Sequence, residues 1–214
     1  MTPGRPSRSD LTDGTPGGSG PRLLTSGGDS GGGAAILAGV PDVVVETERL
    51  RLRPWRPAED LPVLAALNAE PEVMRWVAPN RPLRPDESAA LLQRIGDHWR
   101  EHGYGLWAVE PREGGGCIGF AGLAIPSFLP AVLPAVEVGW RLAPAWWGRG
   151  LATEAARASV AYGFEALGLR SVVSIIDPGN ARSLRVAEKL GMRPAADRLH
   201  PVTRRRLRVM ELGA

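Results

Sequence analysis

Residues Trp140 to Ala156 read W-R-L-A-P-A-W-W-G-R-G-L-A-T-E-A-A, and this stretch indicates how the whole chain folds. Residues 136–142, which overlap the start of this stretch, alternate apolar side chains with others. This alternation predicts a strand with two different faces. Towards its end and beyond, apolar residues recur at helical spacing over residues 152–167. The sequence therefore predicts a strand, a short loop at Gly148-Arg149-Gly150, and a helix.

The start of this predicted helix lacks the side chains that usually cap a helix. The first N–H groups of a helix have no partner within it and carry positive partial charge, and Ser, Thr, Asp or Asn commonly accepts from them. From Ala143 to Ala152 none of these residue types occurs, and Thr153 is the first. Two glycines allow close approach and Arg149 adds a charge, so we predict a phosphate or pyrophosphate site. The alternative is a plain glycine-rich turn.

Two common phosphate-binding loops do not fit this stretch. A Walker loop needs a lysine beside its phosphates, and the single lysine of the chain, Lys189, lies far downstream. A dinucleotide-binding loop needs a third glycine where Thr153 stands, and it follows the first strand of its domain, whereas this loop comes late in the chain.

The remaining pattern resembles the acetyl-CoA pyrophosphate loop R/Q-x-x-G-x-G/A of the GNAT N-acetyltransferase superfamily. The matching residues are Trp147, Gly148, Arg149, Gly150, Leu151 and Ala152. The sequence W-W-G-R-G-L-A-T-E-A looks most like that of the branch that contains the ribosomal-protein-alanine N-acetyltransferases. The first position of the pattern departs from Arg or Gln, because an apolar residue stands there. The resemblance covers about Val44 to Leu212.

The order of the predicted elements also suits the GNAT fold. The strand Ser171 to Ile176 must run parallel to the strand before the loop, since a full helix crosses over between them. The resemblance implies an α+β fold with a mixed, mostly antiparallel sheet, whose parallel fourth and fifth strands are splayed around the cofactor and which about four helices flank. We expect residues 1–40, rich in Gly, Pro and Ser, to be a disordered extension and residues 41–214 to form the acetyltransferase domain.

Composition and charge favour a cytoplasmic protein. A single cysteine, Cys117, excludes an internal disulfide and suits a reducing compartment. No apolar segment approaches membrane length, so we expect no membrane contact, and the net charge of +3 is mild. The arginines of residues 204–208 fit a solvated edge strand or an attraction to an acidic substrate protein or ribosome surface, whereas nucleic acid is not an expected partner. We expect a monomer or homodimer.

Glu137 is the first candidate for catalysis. It lies in the middle of the strand before the loop, where a carboxylate is costly unless it is solvated or used. The resemblance implies a general base that acts on the acceptor amine directly or through water, while the alternative is a solvated Glu on an open sheet face. Gly139 predicts a bulge or a close backbone approach. In the family the cofactor arm lies in the gap between the parallel strands, which implies backbone contacts from Trp140, Arg141 and Leu142.

The segment Asn180-Ala-Arg-Ser183 follows the second parallel strand. Asn is a favoured helix cap, and Ser183 fits in the first turn of a helix without any chemical role. The resemblance instead implies that Asn180 contacts the cofactor arm and that Ser183 lies near the thioester sulfur. Many members use a Tyr of this helix as general acid, but Tyr104 and Tyr162 lie elsewhere. No metal site is expected, because His98 and His102 fit a surface helix face.

Together these features predict an acetyl-CoA-dependent N-acetyltransferase that works by direct transfer in a ternary complex. A protein N-terminal α-amine is the first candidate acceptor, and a small-molecule amine is the second. A catalytically silent protein that binds CoA as a sensor or partner module is a third interpretation, since the loop requires only CoA binding.

Overall fold

The computed structural model describes residues 22–25 and 37–214 and places them around one sheet. The strands are β1 (Arg22–Thr25), β2 (Val43–Glu46), β3 (Leu50–Arg53), β4 (Leu106–Pro111), β5 (Gly119–Ala124), β6 (Glu137–Leu142), β7 (Ser171–Ile176), β8 (Arg193–Leu199) and β9 (Arg206–Gly213). The helices are α1 (Pro57–Ala69), α2 (Pro71–Met74), α3 (Pro85–His102), α4 (Leu151–Glu165) and α5 (Ala181–Lys189). Short 3-10 turns lie at Pro130–Val132 and Pro144–Trp146.

The sheet has the strand order β1-β2-β3-β4-β5-β6-β7-β9-β8. All neighbouring strands pair antiparallel except β6 and β7, which run parallel on either side of the crossover helix α4. That parallel ladder holds a single registered pair, Glu137 with Val173. The two strands therefore meet at one end only, and the predicted splay of the parallel pair is confirmed.

Helix α4 covers one face of the centre of the sheet. Val138 and Leu123 are cross-strand neighbours on this face, and both are fully buried. A Cβ at Gly163 of α4 would lie 3.1 Å from a methyl group of Leu123, so the helix approaches the strand closely there. Glu137, which alternates with Val138, faces the opposite side, where α1 and α3 pack against each other.

A buried ion network joins that opposite layer to the sheet. The guanidinium of Arg53, at the end of β3, donates to both carboxylate oxygens of Asp60 on α1, at 2.7 and 2.9 Å, and also to Glu110 on β4. Arg53 and Asp60 are almost fully buried. Because breaking a buried ion pair leaves a costly unpaired charge, these contacts fix α1 against β3 and β4.

The helix boundaries agree with their sequence signals. Pro57 and Pro85 begin α1 and α3, where their missing N–H groups cost nothing, and Gly103 ends α3 in the left-handed conformation. Glu87 accepts a hydrogen bond from the backbone N–H of Arg84, at 2.8 Å, and so caps the start of α3.

Three expectations from the sequence differ from the structure. Within the predicted extension, Arg22–Thr25 pairs as an edge strand with β2, and the rest of residues 1–36 lies outside the described residues. The bulge predicted at Gly139 is wrong, because β5 and β6 keep a continuous register and open space lies above this glycine. A plain surface position for His98 is wrong, since both of its ring nitrogens contact backbone groups near β4 and β5.

The arginine cluster at the end of the chain is held by local acids. Arg206 and Arg208 on β9 both contact Asp197 of β8, and Arg205 pairs with Asp177 at 2.6 Å. These contacts favour a structural role over attraction to a partner surface. Among the helices in the described parts of the chain, none is long and apolar enough to cross a membrane.

Candidate functional site

The loop before α4 has the geometry of an anion-binding helix start. Gly148 and Gly150 adopt left-handed conformations, with φ of 76° and 79°, that other residues rarely take. Gly150 is the cap residue and supplies no side-chain hydrogen bond to the helix. The first helical hydrogen bond runs from the N–H of Glu154 to the carbonyl of Gly150. Within the described residues, the N–H groups of residues 151–153 have no acceptor, so they are available to a ligand.

Glu154 anchors this helix start to the first part of the domain. Its carboxylate accepts from the hydroxyl of Thr47 at 2.6 Å and from the backbone and side chain of Arg49 at 2.9 and 2.7 Å. Arg49 also donates to the carbonyl of Arg149 at 3.0 Å. The loop is therefore held in place by side chains outside it, and its free donors are pre-oriented.

A cavity of about 400 Å³ lies against this loop. It is lined by the end of β6, the loop and the starts of α4 and α5, with three cations, Arg182, Arg185 and Lys189, along its side. The guanidinium of Arg182 lies over the ring of Trp147, at 4.4 Å. Free N–H donors together with several cations suit a ligand with more than one phosphate group.

The predicted cofactor residues meet at this cavity. The lining includes Trp140, Arg141, Leu142, Trp147, Gly148, Gly150, Leu151, Ala152, Thr153 and Asn180, together with the catalytic candidate Ser183. Arg149 does not line it; its guanidinium lies over the ring of Trp146, at 5.0 Å. Trp147 donates its indole N–H to the carbonyl of Leu142, at 2.7 Å, which ties the loop to the end of β6.

A second cavity of about 610 Å³ adjoins the first on the face of the sheet opposite α4. The two cavities are adjacent, because both are lined by Trp76, Trp140, Arg141, Asn180 and Ser183. Most of the remaining lining is apolar and comes from α3, β5, the loop after β5 and β7. Pockets of this size commonly hold small molecules or a few residues of a peptide.

Glu137 lies in the second cavity, beside the point where β6 and β7 separate. Its carboxylate accepts one hydrogen bond, from the backbone N–H of Ile175 at 3.3 Å, and within the described residues it has no ion-pair partner. Loss of water around the half-buried carboxylate raises the pKa of Glu137 to about 7, and the bond from Ile175 opposes this only in part. A carboxylate with this pKa can accept a proton near neutral pH.

Asn180 and Ser183 lie at the start of α5, where the two cavities join. The amide oxygen of Asn180 accepts from the backbone N–H of Ser183 at 3.2 Å, so Asn180 does cap the helix. Capping uses only the oxygen, and the amide nitrogen has no acceptor among the described residues. The hydroxyl of Ser183 likewise has none and faces the junction. Capping and ligand contact are therefore compatible at Asn180.

Sequence reasoning missed His98 as a cavity residue and Gly179 as a close contact of Trp76. His98 lines the second cavity: its Nδ1 lies 2.9 Å from the carbonyl of Tyr104, and its Nε2 accepts from the N–H of Ile125 at 3.1 Å. These contacts and burial favour a neutral ring, and burial lowers its pKa. Gly179 is needed because a Cβ there would overlap the ring of Trp76. No group of three metal-binding side chains occurs among residues that the structure describes.

The family model for the acetyltransferase (GNAT) domain matches residues 49–193. The protein YkkB of Bacillus subtilis (strain 168) is 34% identical over 149 residues, which are 68% of this chain and 83% of that protein. An acetyltransferase structure from Agrobacterium tumefaciens str. C58 superposes with a TM-score of 0.68 at 30% identity and covers 80% of this chain and 94% of that one.

A more distant solved structure shares the fold alone. The spermidine N-acetyltransferase from Vibrio cholerae, in complex with CoA and spermine, has a TM-score of 0.62 at 18% identity and covers 78% of this chain and 96% of its own. The relatives and neighbours are GNAT acetyltransferases of mixed names, so the ribosomal-protein-alanine branch is not confirmed. With its loop, its splayed parallel strands and the matching domain model, the chain belongs to the GNAT acetyltransferase family.

Proposed function

We propose that this protein is an acetyl-CoA-dependent N-acetyltransferase that transfers the acetyl group to a primary amine by direct attack in a ternary complex. The observation that carries the proposal is the position of Glu137, a carboxylate with no ion-pair partner among the described residues, in a cavity adjacent to the loop cavity.

Acetyl-CoA would occupy the first cavity as co-substrate. The free N–H groups of residues 151–153 and the cations Arg182, Arg185 and Lys189 suit its phosphates. The gap between β6 and β7 offers unpaired backbone groups of β6 to the amides of the pantetheine arm. The thioester would then lie near the junction of the two cavities, beside Asn180 and Ser183.

The chemistry follows from the residues at that junction. The neutral amine attacks the thioester carbon, the carbon–sulfur bond breaks, and the nitrogen loses a proton to Glu137 directly or through water. The departing thiolate takes a proton, for which the Ser183 hydroxyl or a water is the proposed donor. An α-amine has a pKa of roughly 8, against roughly 10.4 for a lysine side chain, so a base with a pKa of about 7 suits an α-amine better.

A protein N-terminus is the first candidate acceptor, in keeping with the ribosomal-protein-alanine branch that the loop sequence resembles. A small-molecule amine is the second, and the second cavity is large enough for it as well. Both acceptors are expected to require Glu137 in the same way.

The test is the pH dependence of kcat/KM for acetyl transfer, measured with a panel of N-terminal peptides and a panel of small amines. The parent should show a rate that rises through about pH 7 and then levels, after correction for the ionisation of the amine itself. Glu137→Gln should lose both this step and most of the rate. Transfer at the parent rate by the variant would remove Glu137 as base, and absence of transfer by the parent to every amine would favour a CoA-binding module.

A further inference from the structure

Arg141 is a half-buried cation that lines both cavities and has no acidic partner among the described residues. Its guanidinium donates to the amide oxygen of Asn68 at 2.6 Å and lies over the ring of Phe120 at 5.0 Å. None of the ion pairs formed by residues 37–214 includes Arg141. Burial lowers the pKa of Arg141 to about 10, which still leaves it charged at neutral pH. A desolvated charge without a counterion is costly, so we expect the guanidinium of Arg141 to have a function.

The surrounding side chains hold Arg141 in place without neutralising it. Asn68 on α1 is fully buried, and its amide nitrogen donates to the hydroxyl of Ser88 on α3, at 3.1 Å. That contact directs the amide oxygen of Asn68 toward Arg141. A guanidinium has five N–H donors, and Asn68 takes one of them. The others remain for a ligand in the cavities that Arg141 lines.

In the second cavity, the carboxylate of Glu137 and the guanidinium of Arg141 belong to separate positions of β6. Glu137, Gly139 and Arg141 alternate onto the same face of β6, and their end positions lie roughly 13 Å apart along the strand. A Cβ at Gly139 would meet open space, so nothing fills the gap between the two charged residues. The other carboxylate that lines the second cavity, Asp177, is paired with Arg205 at 2.6 Å.

We propose that Arg141 binds a carboxylate carried by the amine acceptor, so that the substrate spans Gly139 with its amine toward Glu137 and its anionic group on the guanidinium. This inference rests on the proposed acetyltransferase function and narrows its acceptor class. Arg binds carboxylates through two parallel hydrogen bonds, for which Arg141 has donors to spare. The carboxylate belongs to a free amino acid or to an acidic residue near a peptide N-terminus. Polyamines, which carry only positive charge, are excluded as good acceptors.

The first experiment compares matched acceptor pairs that differ in the charge of one group, with each rate corrected for the neutral fraction of the amine. The pairs are phenylalanine and phenylalaninamide, 6-aminohexanoate and 6-aminohexanamide, and peptides that begin Ala-Asp or Ala-Asn. We expect the parent to favour the acidic member of at least one pair by about 10- to 100-fold in kcat/KM. The pair that responds distinguishes a free amino acid from a peptide.

Arg141→Met should erase this preference, so that the kcat/KM values for the two members of the responding pair lie within about threefold of each other. Arg193→Met removes the same charge at an exposed position on β8 and should keep the preference. Equal rates for both members of every pair in the parent would overturn the proposal. A preference that survives in Arg141→Met, or a large rise in the KM for acetyl-CoA, would also overturn it, the latter because Arg141 would then serve the co-substrate.

A second measurement is independent of turnover. Calorimetry in the presence of CoA compares binding of 6-acetamidohexanoate, N-acetylphenylalanine and an acetylated Ala-Asp peptide with their neutral isosteres. Tighter binding of an acidic member by the parent, lost in Arg141→Met, supports the anion site even if no amine is acetylated. Equal affinity of the parent for the acidic and the neutral member of all three pairs contradicts the anion site. Failure of acetyl transfer alone therefore contradicts the proposed function and not the anion site.

Discussion

Substitution of Glu137 by Gln is expected to make the protein more stable at pH 8 while it removes the proposed base. Glu137 has little water around it and one hydrogen bond, from Ile175. Ionisation is therefore harder in the folded protein than in the unfolded chain, and the pKa rises from 4.5 to about 7. Gln keeps the shape and can still accept from Ile175, but it carries no charge to desolvate.

The sign of the pH effect follows from proton binding. Between about pH 4.5 and 7 the folded state keeps the proton on Glu137 and the unfolded state does not, so this group makes stability fall as pH rises. Each tenfold change in proton affinity corresponds to about 1.4 kcal/mol. With allowance for partial exposure, the ionised carboxylate at pH 8 costs about 2–3 kcal/mol relative to pH 4.5.

Urea unfolding of parent and Glu137→Gln at pH 5 and pH 8 measures the stability cost of ionising Glu137 directly. We expect the variant to gain about 2–3 kcal/mol over the parent between the two pH values, since all other titrating groups cancel in the comparison. Glu188→Gln, on the exposed side of α5, is a matched control that should show no such gain. If the difference in unfolding free energy between parent and Glu137→Gln is the same at both pH values, then Glu137 is not harder to ionise in the folded protein.

Three further substitutions test the scaffold and the site. Arg53→Met leaves Asp60 buried without its cation and should lower the free energy of unfolding by about 3–5 kcal/mol, seen as a lower urea midpoint. Gly119→Ala places a Cβ against the carbonyl of Arg141 and should destabilise by about 2–3 kcal/mol or prevent folding, measured in the same way. Asn180→Ala removes the cap of α5 and should cost about 1 kcal/mol; a raised KM for acetyl-CoA as well would support cofactor contact.

The local elements could be predicted because their signals are local. The alternation of β6, the glycines at 148 and 150, the prolines that begin α1 and α3 and the Asn180 cap all reside within a few residues. The order of elements then determined which strands run parallel, since a helical crossover between β6 and β7 permits nothing else. Glu137 stood out because a carboxylate between two valines at the start of β6 demands an explanation.

The features that escaped prediction depend on contacts distant in sequence. Nothing near Asn68 indicates that it holds Arg141, 73 positions away. His98 reads as one of two histidines on a helix face, and only the packing of α3 beside β5 brings it to Ile125. Gly139 suggested a bulge because glycine weakens a strand, but here its missing side chain leaves open the floor of the cleft.

Thermal unfolding with and without acetyl-CoA measures whether the free donors at the start of α4 hold the phosphates of acetyl-CoA. Acetyl-CoA at 100 times its Kd should add about 2.7 kcal/mol to the folded parent, a rise in midpoint of roughly 5–10 °C. Gly150→Asp places a carboxylate at the helix cap and should abolish this rise. Gly168→Asp, at a glycine of similar φ (66°) with open space around it, is the matched control and should keep it. Equal rises in parent and Gly150→Asp, or no rise in the parent, would contradict the account.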